Sequence, residues 1–105
     1  MAVAYEAYLT HKAKKDYKEL ESEGYGQKAI GILNILAENP FLPDYEKLTG
    51  KKKGAYSRRI NAEHRVVYDV LPSDDDNYQG MVVVHRMRTH YKGIYPVIFF
   101  GTLIF

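Results

Sequence analysis

Tyr56-Ser57-Arg58-Arg59-Ile60-Asn61-Ala62-Glu63-His64-Arg65-Val66-Val67-Tyr68 reads as a β-hairpin. Tyr56–Ile60 has the residues of a strand, Asn61-Ala62-Glu63 is a tight polar turn, and His64–Leu71 returns as the partner. The run gathers Arg58, Arg59 and Arg65 with His64. Alternation sends Arg58 and Arg59 to opposite faces, so at most one of them faces a cleft and the other is expected to pair with an acid. Beyond an acidic turn at Pro72–Gly80, Met81–His90 adds a third strand, with Met81, Val83, His85 and Met87 alternating with Val82, Val84, Arg86, Arg88 and His90. That alternation places Arg86, Arg88 and His90 on one face.

Upstream of the hairpin the period changes from two to that of a helix. Ala2–Leu9 reads as a first strand, and Thr10 is placed to cap a helix beginning at His11, its hydroxyl accepting from an orphan amide. Ala13, Tyr17 and Leu20 recur at helical spacing until Gly24 and Gly26. A second helix over Gln27–Glu38 carries Ala29, Ile32, Leu33 and Leu36 as a broad apolar stripe, and Asn39-Pro40 stops it. Pro40–Lys53 has the composition of a loop. The fold these elements predict is α+β: a two-helix hairpin packed on one face of a mainly antiparallel sheet of four strands. The last stretch, Ile94–Phe105, is almost wholly apolar but too short to cross a bilayer as a helix. It suits an edge strand, a surface packed on a partner, or a loose extension.

A chain of 105 residues accommodates one small domain. Its 46% hydrophobic and 27% charged residues are those of a soluble globular protein. With no cysteine, neither disulfides nor a thiolate zinc site enter, and the N-terminus lacks the pattern of a signal peptide, so a cytoplasmic location without a membrane role is expected. The net charge of +2 conceals segregation: residues 45–68 hold seven Lys or Arg against two acids, whereas 69–80 hold four aspartates and no base. Such focusing is the footprint of a polyanion binder.

Glu46, in Tyr45-Glu46-Lys47-Leu48, precedes the hairpin, and His90-Tyr91 follows the third strand. A carboxylate, arginines, a histidine and a tyrosine suffice to cut RNA without a metal. The carboxylate takes the proton of a 2′-hydroxyl, a guanidinium holds the phosphate, and an imidazole protonates the departing 5′-oxygen. Each residue also has a structural reading. Glu46 reads as a solvated loop glutamate, Arg65 as a salt-bridge partner of Asp69 or Glu63, and His64 as a partner of Glu63 or a hairpin cap. His85 reads as a core histidine and Tyr68 as a core tyrosine, while Tyr56 and Tyr91 are placed to stack bases. No His-x-x-x-His or His/Cys spacing suggests a metal site, and no cofactor is expected.

The motif Glu46-x-Leu48, Gly54-x-Tyr56-Ser57-Arg58-Arg59-Ile60, Glu63-His64-Arg65-Val66-Val67-Tyr68 and His90-Tyr91 is similar to that of the YoeB/Txe branch of the RelE/ParE toxin superfamily. The resemblance covers residues 1–91, a RelE-like domain, and leaves 92–105 as an apolar extension of unknown role. It implies a ribosome-dependent mRNA endonuclease, often a homodimer, neutralised by a YefM-like antitoxin. Carried across, the roles fall on Glu46 as general base, Arg65 as phosphate clamp, His90 as general acid and Tyr91 as a positioning or stacking group. Lys47, Lys51, Arg58, Arg59 and Arg88 would hold the RNA backbone. The gyrase-directed ParE branch shares the architecture but lacks the Glu, Arg, His-Tyr set. A binding module without chemistry is the remaining alternative.

Overall fold

The computed structural model describes residues 4–48 and 54–88. Lys51, His90, Tyr91 and the 92–105 extension lie outside them.

The first helix, α1 (His11–Ser22), begins where Thr10 accepts a hydrogen bond from the Ala13 amide at 3.2 Å, and it follows directly on strand β1 (Tyr5–Leu9). It ends in a left-handed residue, Gly24 at φ 91°. Around that glycine the Tyr25 amide reaches back to Leu20 O and the Gly24 amide to Glu21 O, so the last carbonyls of the helix are satisfied. Helix α2 (Gly26–Glu38) folds back against α1. Ala13 and Leu20 of α1 and Ala29 and Leu36 of α2 are completely buried, with Tyr17, Ile32 and Leu33 packed around them. These are the apolar stripes expected from the helical spacing.

Among the described residues the helices cover a sheet of five strands in the order β1-β5-β4-β3-β2, with β2 (Tyr45–Lys47), β3 (Tyr56–Arg59), β4 (Arg65–Leu71) and β5 (Gly80–Arg86) completing it. The expectation of four strands is corrected here. The fifth is the three-residue β2, antiparallel to β3 inside the segment whose composition read as loop. The sheet is also mixed, because β1 runs parallel to β5 in the register Tyr5↔Gly80 to Leu9↔Val84. The β3–β4 hairpin forms as expected, its turn held by Asn61 Oδ1, which accepts from the amides of Glu63 and His64.

Val66 and Tyr68 of β4 and Val82 and Val84 of β5 meet the helices and are fully buried. Alternation then puts Arg65, Val67 and Asp69 on the opposite face, with Met81, Val83 and His85 beside them. The expected simple alternation fails at the end of β5. Tyr68 pairs with Val84 but Val67 with Arg86, a bulge that admits one extra residue, His85. Past it, Met87 joins the core, while Arg86 and Arg88 reach acids of α1.

Candidate active site

The cleft is built on the far end of the sheet from β1. Glu46 of β2 stands opposite Ser57 of β3, Ser57 opposite Val67, and Arg59 opposite Arg65. Cross-strand partners share a face, so Glu46, Ser57, Arg59 and Arg65 project to the same side. Arg65 Nη1 lies 2.8 Å from Glu46 Oε1 and donates to Ser57 Oγ at 2.9 Å. Ser57 is fully buried and the Arg65 side chain is 16% exposed, so the guanidinium is aimed by a fixed hydroxyl from within the sheet. The Glu46 side chain is 61% exposed and meets solvent directly. The two border a cleft of about 330 Å³ together with Ile32 and Ile35 of α2, Pro43, Asp44, Arg58 and Arg59.

The structure therefore joins Glu46 to Arg65, rather than the Asp69 or Glu63 expected as the arginine's acid. Asp69 is engaged elsewhere. Its carboxylate accepts from the amides of Gly54 at 3.1 Å and Ala55 at 2.7 Å and from His85 Nε2 at 2.8 Å. Burial opposes its charge, but the His85 hydrogen bond and the two amides outweigh that and hold the carboxyl below its ordinary range. His85 is thus a satisfied histidine, placed on the face away from the helices rather than in the core. His64 is buried, with Nε2 3.6 Å from Glu63 and 3.9 Å from Glu23, in keeping with a structural role.

The expected RNA-backbone residues divide. Arg59 is exposed and borders the cleft, its Nη1 donating to Ala62 O at 3.3 Å. Lys47 is exposed, but it stands opposite Tyr56 and so projects to the other face from Glu46. Arg58 also borders the cleft, so both arginines of the dipeptide reach it where at most one was expected, and its terminal nitrogens lie on backbone carbonyls, Leu42 O at 2.5 Å and Pro43 O at 2.7 Å, rather than on an acid. Arg88 is drawn to α1, with Nη2 2.6 Å from Glu23 Oε2 and Nη1 3.6 Å from Glu19 Oε1. Tyr56 packs edge-on against Phe41 and Tyr45 and tilts over Tyr68. Tyr68 is core as expected. Burial pushes its phenol up to about 12, and its hydroxyl donates to Pro40 O at 2.6 Å.

Ser57 stands inside the motif, but nothing in its residue type assigns it a role. Its period-two separation from Arg59 is the signal that places it under the guanidinium. The contributions of Ile32, Ile35 and Asp44 carry no such signal, because they depend on where α2 crosses the end of the sheet. Chemically, the pair is a solvent-facing carboxylate beside a cation suited to a phosphate. Among the described residues no group of three His, Cys, Asp or Glu is placed to hold a metal ion, and no helix is long and apolar enough to cross a membrane.

The family model described as YoeB-like toxin of bacterial type II toxin–antitoxin system matches residues 9–91. A YoeB/ParE toxin from Agrobacterium tumefaciens is 30% identical and superposes with a TM-score of 0.67, covering 82% of this chain and 99% of its own. The YoeB dimer from Staphylococcus aureus is also 30% identical, at a TM-score of 0.61 and coverages of 83% and 98%, and YoeB in the YoeB–YefM complex of that organism gives the same values. The toxin of the E. coli DinJ–YafQ complex, 18% identical at a TM-score of 0.58, shares the fold. No curated protein sequence matches the chain. With a matching family model spanning the cleft and both helices, and relatives at 30% identity superposing over most of the chain, the chain belongs to the YoeB-like toxins of bacterial type II toxin–antitoxin systems.

Proposed function

We propose that this toxin is an mRNA endonuclease acting on translating ribosomes by metal-independent transesterification. The observation that carries the reading is the Glu46–Arg65 pair, an open carboxylate held against a guanidinium at the mouth of a cleft. Glu46 takes the proton of a ribose 2′-hydroxyl as its oxygen attacks the adjacent phosphorus. Arg65 exchanges its carboxylate contact for the phosphoryl oxygens as negative charge builds on them. The P–O5′ bond then breaks, His90 protonates the leaving oxygen, and a 2′,3′-cyclic phosphate remains. Tyr91 is assigned to stacking or positioning the nucleotide, and Arg59 to the backbone.

Silencing is assigned to a YefM-like antitoxin in the cytoplasm, whose acidic segment would cover the cleft in place of RNA. The reading is supported by the Staphylococcus aureus relative, which occurs both as a dimer and with YefM. A homodimer of this chain is proposed on the same ground.

The test is a map of mRNA 5′ ends after induction, with and without translating ribosomes. It is joined to single-turnover cleavage by Glu46→Ala and His90→Ala. Acid–base groups contribute about 10²–10⁴-fold, so both variants should lose that much rate while still binding ribosomes. Cleavage at the wild-type rate by either variant rejects its assignment. Growth arrest without new 5′ ends rejects the nuclease reading.

A further inference from the structure

The strand that carries Glu46 has only three residues, all exposed, and among the described residues one neighbour in the sheet. Such a strand does not fix itself. What precedes it is held from beneath. Arg58, 8% exposed, donates to Leu42 O and Pro43 O, and the fully buried Tyr68 donates to Pro40 O. Within the same loop Asn39 Oδ1 accepts from the Phe41 amide at 2.9 Å. Three carbonyls between Pro40 and Pro43 are thereby gripped by two side chains of the β3–β4 hairpin. Arg58 is also the register partner of Tyr45, the first residue of β2.

We infer that Arg58 is a positioning residue: its fork on the Leu42 and Pro43 carbonyls sets where β2 begins, and so where Glu46 meets Arg65. The inference rests on the proposed role of Glu46. Burial and paired short contacts separate Arg58 from a phosphate ligand, because both terminal nitrogens are engaged by backbone oxygens at the cleft wall. A guanidinium reaches two carbonyls at once in a fixed plane, whereas an ammonium is a single point of charge on a flexible stem.

Arg58→Lys in the full chain therefore separates the two uses of the residue, since it keeps the charge and loses the fork. Hydrogen exchange over residues 39–47 should quicken by about tenfold or more, with α1 and β5 unchanged. In single-turnover cleavage on programmed ribosomes the limiting rate should fall by about 10²-fold, because misplacing a reacting group by an ångström costs that much. The half-saturating concentration should stay within about twofold of wild type. Unchanged exchange, or exchange quickened equally in every element, overturns the inference. So does a raised half-saturation with an intact limiting rate, which is the behaviour of a phosphate contact. Should the wild type cut no RNA, the nuclease reading fails by itself, and the exchange measurement still decides whether Arg58 holds the loop.

Discussion

A single carboxylate ties the first helix to the end of the fifth strand. Asp16 is 4% exposed and accepts from Arg86 Nε at 2.7 Å and Nη2 at 3.1 Å, from the Met87 amide at 3.0 Å and from the Arg88 amide at 3.2 Å. Burial opposes its charge, yet the Arg86 hydrogen bond and the two amides prevail and keep its pKa below the ordinary 3.8. A depressed carboxylate lends stability that is present above the unfolded pKa and lost as pH falls through the folded one. Asp16→Asn should therefore cost about 1.5–3 kcal/mol at neutral pH, the range for hydrogen bonds to a charged group, since the Arg86 side chain is itself 43% exposed. That gap should close as the pH drops below about 4. Urea unfolding followed by circular dichroism at pH 7 and at pH 3 checks this, and an equal gap at both would contradict it. None of this was legible beforehand. Asp16 sits among Lys12, Lys14, Lys15 and Lys18 and reads as a solvated helix residue, because its partners lie some seventy positions away. That Glu46 and Arg65 share one cleft was legible, since the motif singled out both residues. Their direct contact was not.

Elements whose periodicity is strong are found where the sequence puts them, and β2 shows why the others are not. Tyr45–Lys47 is too short to alternate visibly and is flanked by proline and a lysine run, so nothing local distinguishes it from loop. It becomes a strand because Arg58 and Tyr68 hold the chain before it and Leu48 N bonds Ala55 O at 2.7 Å after it. The bulge in β5 is equally invisible, since it depends on pairing with β4. Two predictions belong at this level. Gly54 has φ 94°, and a Cβ there would collide with Val67 Cγ1. Gly54→Ala should thus destabilise by about 2 kcal/mol or more through strain and overpacking, measured by chemical denaturation. A variant as stable as wild type would show that the backbone there adapts freely. Tyr68→Phe leaves Pro40 O without its buried donor and should cost about 1–3 kcal/mol. The phenol's raised pKa, about 12, adds a signature of its own. Stability from the protonated phenol is intact below pH ~10 and disappears as pH rises toward the folded value, so the penalty of Tyr68→Phe should shrink in alkali.

Across the whole molecule the basic middle of the sequence resolves into cations with different duties. Arg58 is turned onto backbone and Arg65 onto Glu46, while Arg59 remains at the cleft surface; beyond that segment, Arg86 is turned onto Asp16 of α1 and Arg88 onto Glu23 at its end. Ribosome or RNA affinity should fall as salt rises from about 50 to 200 mM, since phosphate contacts release counterions. Arg59→Ala should flatten that dependence, and Arg88→Ala should not. Filter binding across the salt range decides between them, and equal slopes for the two variants would mean the cleft is not where RNA binds. Fold class was readable from the two periodicities, but strand order was not, because a strand carries no mark of its neighbour. The parallel joint of β1 to β5 is the case in point, and it bears on synthesis. Thr10 Oγ1 bonds His85 O across 75 positions, and among the described residues β1 has no strand beside it other than β5. A chain emerging from its N-terminus forms its helices early, yet their apolar faces wait for Val82 and Val84 to arrive. A half-made copy thus holds the arginine hairpin without the backing that stiffens it. On the proposed reading, the ribosome is spared by the very chain it is still translating.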